Sequence, residues 1–331
     1  MPSISVVVPL YNKARYVARC LDSILAQSHR DFTLYLVNDG STDSSPQIAA
    51  TYLDPRLKLI NQPNAGPGSA RNHGLRLAQS DYVAFLDGDD AWHPDFLARS
   101  LAILENHPVA ALNWGMRIFP QNITTEPRWL RRQVPNGRFR LAPDSPTAQL
   151  VAILANTLPS SCVLHRQIAL EHGGFYDKDR CLFSEDAHLY LKLLLHADFY
   201  FAPEPLTLRY EDASELALNQ TGVRPIEPFL RDPQDIYDDC PAPYRPLVDR
   251  FLAARALKTA AVYGYYGQPQ PARALFAQFV QPWRDLTNPY FFPALVAQTP
   301  LACLIRSSRP GRAGARHDRQ KPPAGPQPRT K

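Results

Sequence analysis

The sequence is short of the features that define several protein classes. Its five cysteines, Cys20, Cys162, Cys181, Cys240 and Cys303, are odd in number, widely spaced and include no Cys-x-x-Cys pair. A disulfide-stapled secreted fold is therefore a poor reading, and reduced thiols in a cytosolic protein the plain one. No run approaches the ~20 consecutive apolar residues that a membrane-spanning helix requires. No basic segment followed by a long apolar one precedes the first β-like run at Ile4, so no secretory leader is read. Net charge is also scarce, only +5 over 331 residues, and it is badly distributed for nucleic acid. Residues 306–331 carry eight Arg or Lys against Asp318 alone, which leaves the rest of the chain slightly acidic. What is present is ordinary apolar content, 45%, enough to bury a large core and to exclude global disorder.

The N-terminal half alternates strand and helix signals. Ile4–Leu10 is a β-branched run suited to a strand buried on both faces, followed by Val17, Leu21, Ile24 and Leu25 at helical spacing. Strands over 32–37, 57–61 and 82–86 alternate with helices over about 44–52 and from Pro67 to about residue 79, with Ser41 or Asp43 able to cap the first of these. This order predicts a mostly parallel sheet with right-handed crossovers, whose ligands bind beyond the carboxyl ends of the strands. Further on, strands are expected at 110–118 and 161–164, a helix at 184–196, and two short closing strands at 199–201 and 206–210. Residues 119–146 read as a long excursion. Helices are expected at 247–266 and 271–280, and the Pro-, Arg- and Gly-rich end as disordered.

Four groups of chemistry-bearing residues fall at the predicted strand ends or helix starts. In Asp87-Gly88-Asp89-Asp90, three carboxylates in four positions repel one another unless a cation neutralises them; hard oxygen ligands of this kind suit Mg²⁺ or Mn²⁺. Taken alone, the same tripeptide is also a common solvated turn. Asn38-Asp39-Gly40-Ser41-Thr42-Asp43 could offer a carboxylate to a nucleobase or ribose, but is equally good turn chemistry. Asn64-Ala65-Gly66-Pro67-Gly68 opens a helix that carries Arg71, an arrangement able to meet phosphate; it is neither a P-loop nor a dinucleotide fingerprint. Glu185-Asp186 starts a helix, where acidic residues are favoured by the dipole whatever their function, and where one carboxylate could serve as a general base.

In this order the four groups resemble the family-2 inverting glycosyltransferases, over roughly residues 3–215. The resemblance rests on Val6-Val7-Val8-Pro9-Leu10-Tyr11-Asn12, the three loops above, Gly173-Gly174-Phe175 and Glu185-Asp186. It implies an α/β fold of the GT-A type over residues 1–215, with a helical extension over 216–305 and a disordered basic tail over 306–331. It further implies that Pro9, Tyr11 and Asn12 wall the nucleobase and ribose, that Asp39 bonds the base, and that Arg71 lies near the diphosphate. Asp87 would approach the ribose or a metal-bound water, Asp89 would hold Mn²⁺ or Mg²⁺, and Asp186, or less favourably Glu185, would deprotonate the acceptor. The implied reaction is metal-assisted single displacement from a nucleoside-diphosphate sugar, most simply a UDP-sugar, onto a hydroxyl of a saccharide or lipid-linked acceptor.

Three departures qualify the pattern. Asn38-Asp39 stands where many relatives have Asp-Asp. No His follows the closing strand, where Glu211 could serve instead. The Gln-x-x-Arg-Trp signature of processive polymerases is absent, which favours transfer of one sugar. Competing readings are a non-catalytic nucleotide-sugar or glycan binder and, less well supported, a sugar-1-phosphate nucleotidyltransferase. Trp92, Trp114 and Trp129 could stack on sugar or simply pack. The run Tyr290–Val296 with the basic tail could dock on an anionic membrane surface, at the inner face of the plasma membrane, or pack on the body.

Overall fold

The computed structural model describes residues 2–211, 223–281 and 286–299. The expectation of a disordered tail over 306–331, Cys303 and the 215/216 boundary lie outside the described residues.

The sheet is built from β1 (Ile4–Leu10), β2 (Phe32–Asp39), β3 (Leu57–Gln62), β4 (Tyr82–Phe85), β5 (Ala91–Trp92), β6 (Ala111–Phe119), β7 (Ile123–Thr124), β8 (Gly137–Phe139), β9 (Cys162–His165) and β10 (Phe199–Tyr210). The helices are α1 (Val17–Leu25), α2 (Ser45–Ala50), α3 (Pro67–Leu77), α4 (Phe96–Asn106), α5 (Glu126–Arg132), α6 (Thr147–Leu154), α7 (Arg166–Glu171), α8 (Glu185–His196), α9 (Pro228–Arg231), α10 (Pro233–Asp239), α11 (Arg245–Tyr265), α12 (Pro269–Phe279) and α13 (Phe291–Ala297). The strand order is β3-β2-β1-β4-β9-β6-β10-β5, with β7 on β6 and β8 on β10. Strands β3, β2, β1 and β4 are parallel to one another, β9 runs against both β4 and β6, and β6 and β10 are parallel again. The sheet is thus mostly parallel and mixed, as expected from the alternation.

Side chains alternate across the sheet with the strand period of two. Val6, Val8 and Leu10 of β1 join Leu34 and Leu36 of β2 in a core covered by α1 and α4, through Val17, Leu21, Phe96 and Leu97. Val7, Val83 and Phe85 point to the other face, under Leu75 of α3 and Leu189 and Leu193 of α8. Gly74 lets α3 lie directly on β1, since a Cβ there would stand 2.4 Å from Val7 Cγ1. The C-terminal helices continue this second core, which Phe229, Leu247, Phe251 and Leu257 share with Leu150 and Tyr190.

The closing segment differs from the expected pair of short strands. It is one strand, β10, whose register against β6 shifts on either side of Pro205. Prolines without an N–H break the ladder locally, and the sequence signal breaks with it, although the chain stays paired. The 119–146 excursion is partly ordered as β7, α5 and β8. Trp92, Trp114 and Trp129 are all buried and are packing residues, with Trp92 stacked on Phe96 at 4.1 Å between ring centroids.

Candidate active site

The carboxyl ends of β1, β2 and β4 open on one cleft of about 560 Å³, whose far wall is formed by α5, the start of α8 and part of α11. Pro9, Tyr11, Asp39, Arg71, Asp87, Asp89, Glu185 and Asp186 all line it, although Pro9 and Asp186 are separated by most of the catalytic sequence. Asn12 does not. Its backbone is left-handed (φ 50°), and its side-chain oxygen accepts from the N–H groups of Thr42 (2.8 Å) and Asp43 (3.3 Å), tying the loop after β1 to the loop after β2.

Asp39 ends β2 almost fully buried. One carboxylate oxygen accepts from the Ala65 N–H at 2.9 Å and from the Gln62 amide at 2.8 Å, and the other from the Gly66 N–H at 2.9 Å. It therefore sets the loop that leads into α3. Gly66 caps that helix at φ +93°, a conformation only glycine takes without strain.

Arg71, one turn into α3, is buried. Its guanidinium donates to Glu185 Oε1 and to Asp87 Oδ1, both at 2.7 Å, and lies over the Phe175 ring. It thus joins two acidic loops that are about a hundred residues apart in sequence. A buried cation between two carboxylates holds all three in place, because removing any one strands a charge away from water. Glu185 is consumed in this pairing. Asp186 beside it, half-buried at the cleft wall, is in no ion pair among the described residues and accepts the Ala187 N–H at 2.8 Å. Burial first, then the Glu185 charge, push its carboxyl up to about 7, with Arg71 pulling the other way.

The third acidic group is stacked on a turn at 159–161. Ser160 Oγ accepts from the Asp87 N–H, and the Tyr210 N–H donates to Asp90 Oδ1 at 3.1 Å. Asp89 is paired with Lys13 Nζ at 2.8 Å, and its backbone carbonyl accepts from Arg19. Burial raises the Asp89 carboxyl despite Lys13; burial and the charges of Asp89 and Asp87 push Asp90 up to about 7. Three mutually repelling carboxylates, with Asp89 and Asp90 raised in protonation range, are what a dication would relieve. They do not close a cage: among the described residues the Asp87–Asp90 oxygens do not converge as a three-ligand cluster. The donor set therefore fits a hard cation taking one or two protein oxygens and the remainder from phosphate and water, the habit of Mg²⁺ and Mn²⁺.

Several cleft residues carried no readable sequence signal. Lys13 and Ser160 are single polar residues in loops. Arg128, Arg209, Arg255 and Lys258 make the opposite wall basic, drawn from three separate elements. Arg209 and Glu211, at the end of β10, line the cleft where the expected His is missing.

Comparison with known proteins agrees with this geometry. Residues 5–169 match the family model described as Glycosyl transferase family 2. The chain is 27% identical over 271 residues to an uncharacterized glycosyltransferase, EpsJ, of Bacillus subtilis, covering 81% of this chain and 71% of that one. It is 40% identical over 102 residues to the putative glycosyltransferase EpsH of the same organism, a match spanning only 30% of either protein. Among solved structures it is similar to S. aureus TarS 1–349 in complex with UDP-GlcNAc, with a TM-score of 0.72 at 20% identity, over 92% of this chain and 91% of that one. It is also similar to a mannosyltransferase from Pyrobaculum calidifontis in complex with GDP-Man and Mn²⁺, with a TM-score of 0.52 at 18% identity, over 92% and 86%. The fold is that of the GT-A enzymes. The chain belongs to glycosyl transferase family 2 and is a glycosyltransferase.

Proposed function

We propose that the protein transfers one sugar, with inversion, from a UDP-sugar to a hydroxyl of a saccharide or lipid-linked glycan acceptor, as a hexosyl- or N-acetylhexosaminyltransferase of surface-polysaccharide assembly. The observation that carries this reading is the convergence of Asp89 and Asp186 on one cleft, with Arg71 locking Asp87 to Glu185 between them. In this reading Pro9 and Tyr11 wall the nucleotide end, and Asp39 and Asn12 shape the loops around it. Asp89, with Asp87 beside it, would hold Mn²⁺ or Mg²⁺. When bound, that ion neutralises charge gathering on the leaving diphosphate. Asp186 takes the proton of the acceptor hydroxyl as it attacks the anomeric carbon, and Glu185, paired with Arg71, positions it. Glu211 stands as an additional oxygen at the cation end.

The reading also places the chain in the cytoplasm. No helix among the described residues is long and apolar enough to cross a membrane. α13 buries Phe291, Ala294 and Ala297 and exposes Tyr290, Phe292 and Leu295, a face suited to peripheral contact with the membrane that bears a lipid-linked acceptor.

The test is turnover with a panel of UDP-sugars, with and without Mn²⁺, in wild type, Asp89→Ala and Asp186→Asn. Both variants should lose at least about a hundredfold in kcat. Full metal-dependent turnover in Asp89→Ala would refute the metal assignment. Donor binding with no turnover in any form would favour the non-catalytic reading.

A further inference from the structure

At the end of α8 remote from the cleft, three elements end together. His172 caps the C-terminus of α7, His196 is the last residue of α8 and Asp239 the last of α10. Their candidate ligand atoms all lie within 4.8 Å of one another, the only such group of three or more among the described residues. The two imidazoles face each other with ring centroids 4.3 Å apart and planes tilted by 33°. Asp239 Oδ1 lies between them, 3.0 Å from His172 Nδ1 and 3.5 Å from His196 Nε2. In a tetrahedral site with metal–nitrogen and metal–oxygen bonds near 2.0–2.1 Å, neighbouring ligand atoms stand about 3.3 Å apart. The two observed separations bracket that edge.

We propose that His172, His196 and Asp239 form a second metal site, for Zn²⁺ or a similar borderline transition ion, with water in the fourth position. Two neutral imidazoles and one carboxylate are a donor set that such ions prefer and that Mg²⁺ does not. The site is half-buried, so an ion can enter from solvent without unfolding the protein. In the absence of an ion the same groups hydrogen-bond one another: His172 Nδ1 stands 2.8 Å from Asp239 Oδ2, and His196 Nε2 stands 2.5 Å from the Asp239 carbonyl. Binding would exchange those bonds for metal–ligand bonds, with each neutral ring keeping its proton on the other nitrogen; an imidazolium must first lose a proton to solvent, so binding weakens as pH falls. The ion would clamp the helical extension, through α10, to the two catalytic-domain helices. α8 is twelve residues long and begins with the Glu185-Asp186 pair, so the clamp lies about 17 Å from the acidic start of the helix. Its role is to fix that helix, not to touch the reacting sugar.

The site makes no use of the cleft, and the experiment separates the two. The full-length protein is stripped with a chelator and titrated with Zn²⁺ and with Co²⁺, reading metal stoichiometry, the visible absorption of Co²⁺ and the melting temperature. Expected are one Zn²⁺ per chain and a tetrahedral Co²⁺ spectrum in wild type and in Asp89→Asn. His172→Gln and Asp239→Asn should each bind at least about tenfold more weakly and lose the spectrum, while melting as wild type does without metal. His196→Ala serves as a third variant should either of these fail to fold. Equal Zn²⁺ affinity in wild type and His172→Gln, or an octahedral Co²⁺ spectrum lost only in Asp89→Asn, would overturn the proposal.

Discussion

The assignment of Asp186 over Glu185 as the base makes a prediction in pH. Asp186 titrates at about 7, raised by burial and by the Glu185 charge and lowered by Arg71. At pH 6 about a tenth of the molecules would then carry the base form and at pH 7 about half, so kcat/KM should rise roughly fivefold from pH 6 to 7 and level off above about pH 8. Glu185→Gln removes a like charge yet keeps an oxygen acceptor for Arg71. The acidic limb should move down by the order of one unit, so that kcat/KM of the variant rises only about twofold between pH 6 and 7. Arg71→Met removes the opposing cation, and the limb should move up. It also strands Glu185 in the interior, at a cost of about 3–5 kcal/mol of stability. The assay is the pH dependence of kcat/KM for transfer at saturating metal, with a parallel urea melt of each variant. Glu185→Gln carries the test by itself if Arg71→Met does not fold. A flat profile from pH 6 to 8, or a Glu185→Gln limb displaced upward, would refute the reasoning.

Two further outcomes follow from the same charges. Asp90 keeps its proton in the folded protein up to about pH 7 but gives it up near its ordinary value of 3.8 when unfolded. Its contribution to stability is therefore present below about pH 4 and is lost as pH rises through 7. Asp90→Asn should melt higher than wild type at pH 8, by the order of 2 kcal/mol, and equal it near pH 3.5; a less stable variant at pH 8 would contradict the burial argument. Lys13 competes with any cation for Asp89. Lys13→Met should bind Mn²⁺ about fivefold more tightly at pH 8 without nucleotide, as read by electron paramagnetic resonance, and unchanged affinity would remove Lys13 from the account of the metal.

Much of the fold was legible because its signals are local. Ile4–Leu10 is a strand buried on both faces, and its β-branched composition says so without reference to any other segment. The acidic turn after β4 and the pair at the start of α8 stood out in the same way. What spacing could not show is which groups neutralise one another. Arg71 read as a residue poised for diphosphate, whereas it bonds a carboxylate 114 residues away. Asp39 read as a group that meets the base, but both its oxygens are committed to holding the loop at 65–66. His172, His196 and Asp239 showed no ligand spacing, because the three helix ends meet only in the folded chain. The continuity of β10 was hidden by prolines whose missing N–H groups erase the strand pattern without breaking the strand.

Of the five carboxylates in the acidic turn after β4 and at the start of α8, the chain supplies its own cations to three: Lys13 to Asp89, and Arg71 to both Asp87 and Glu185. The remaining two, Asp90 and Asp186, are the ones pushed up to about 7. That division explains why adjacent residues of the same chemical type can take different parts. Glu185 is engaged by the buried Arg71 guanidinium and is not free to meet an acceptor hydroxyl. Asp186, one residue on and without that partner, has its protonation range placed where a hydroxyl proton can be accepted and later released to solvent. A donor diphosphate adds negative charge to the same cleft and would raise Asp186 further unless a cation entered with it. In the proposed function, need of a divalent ion and availability of the base would be two consequences of one charge balance, and a variant that alters either should be read for its effect on both.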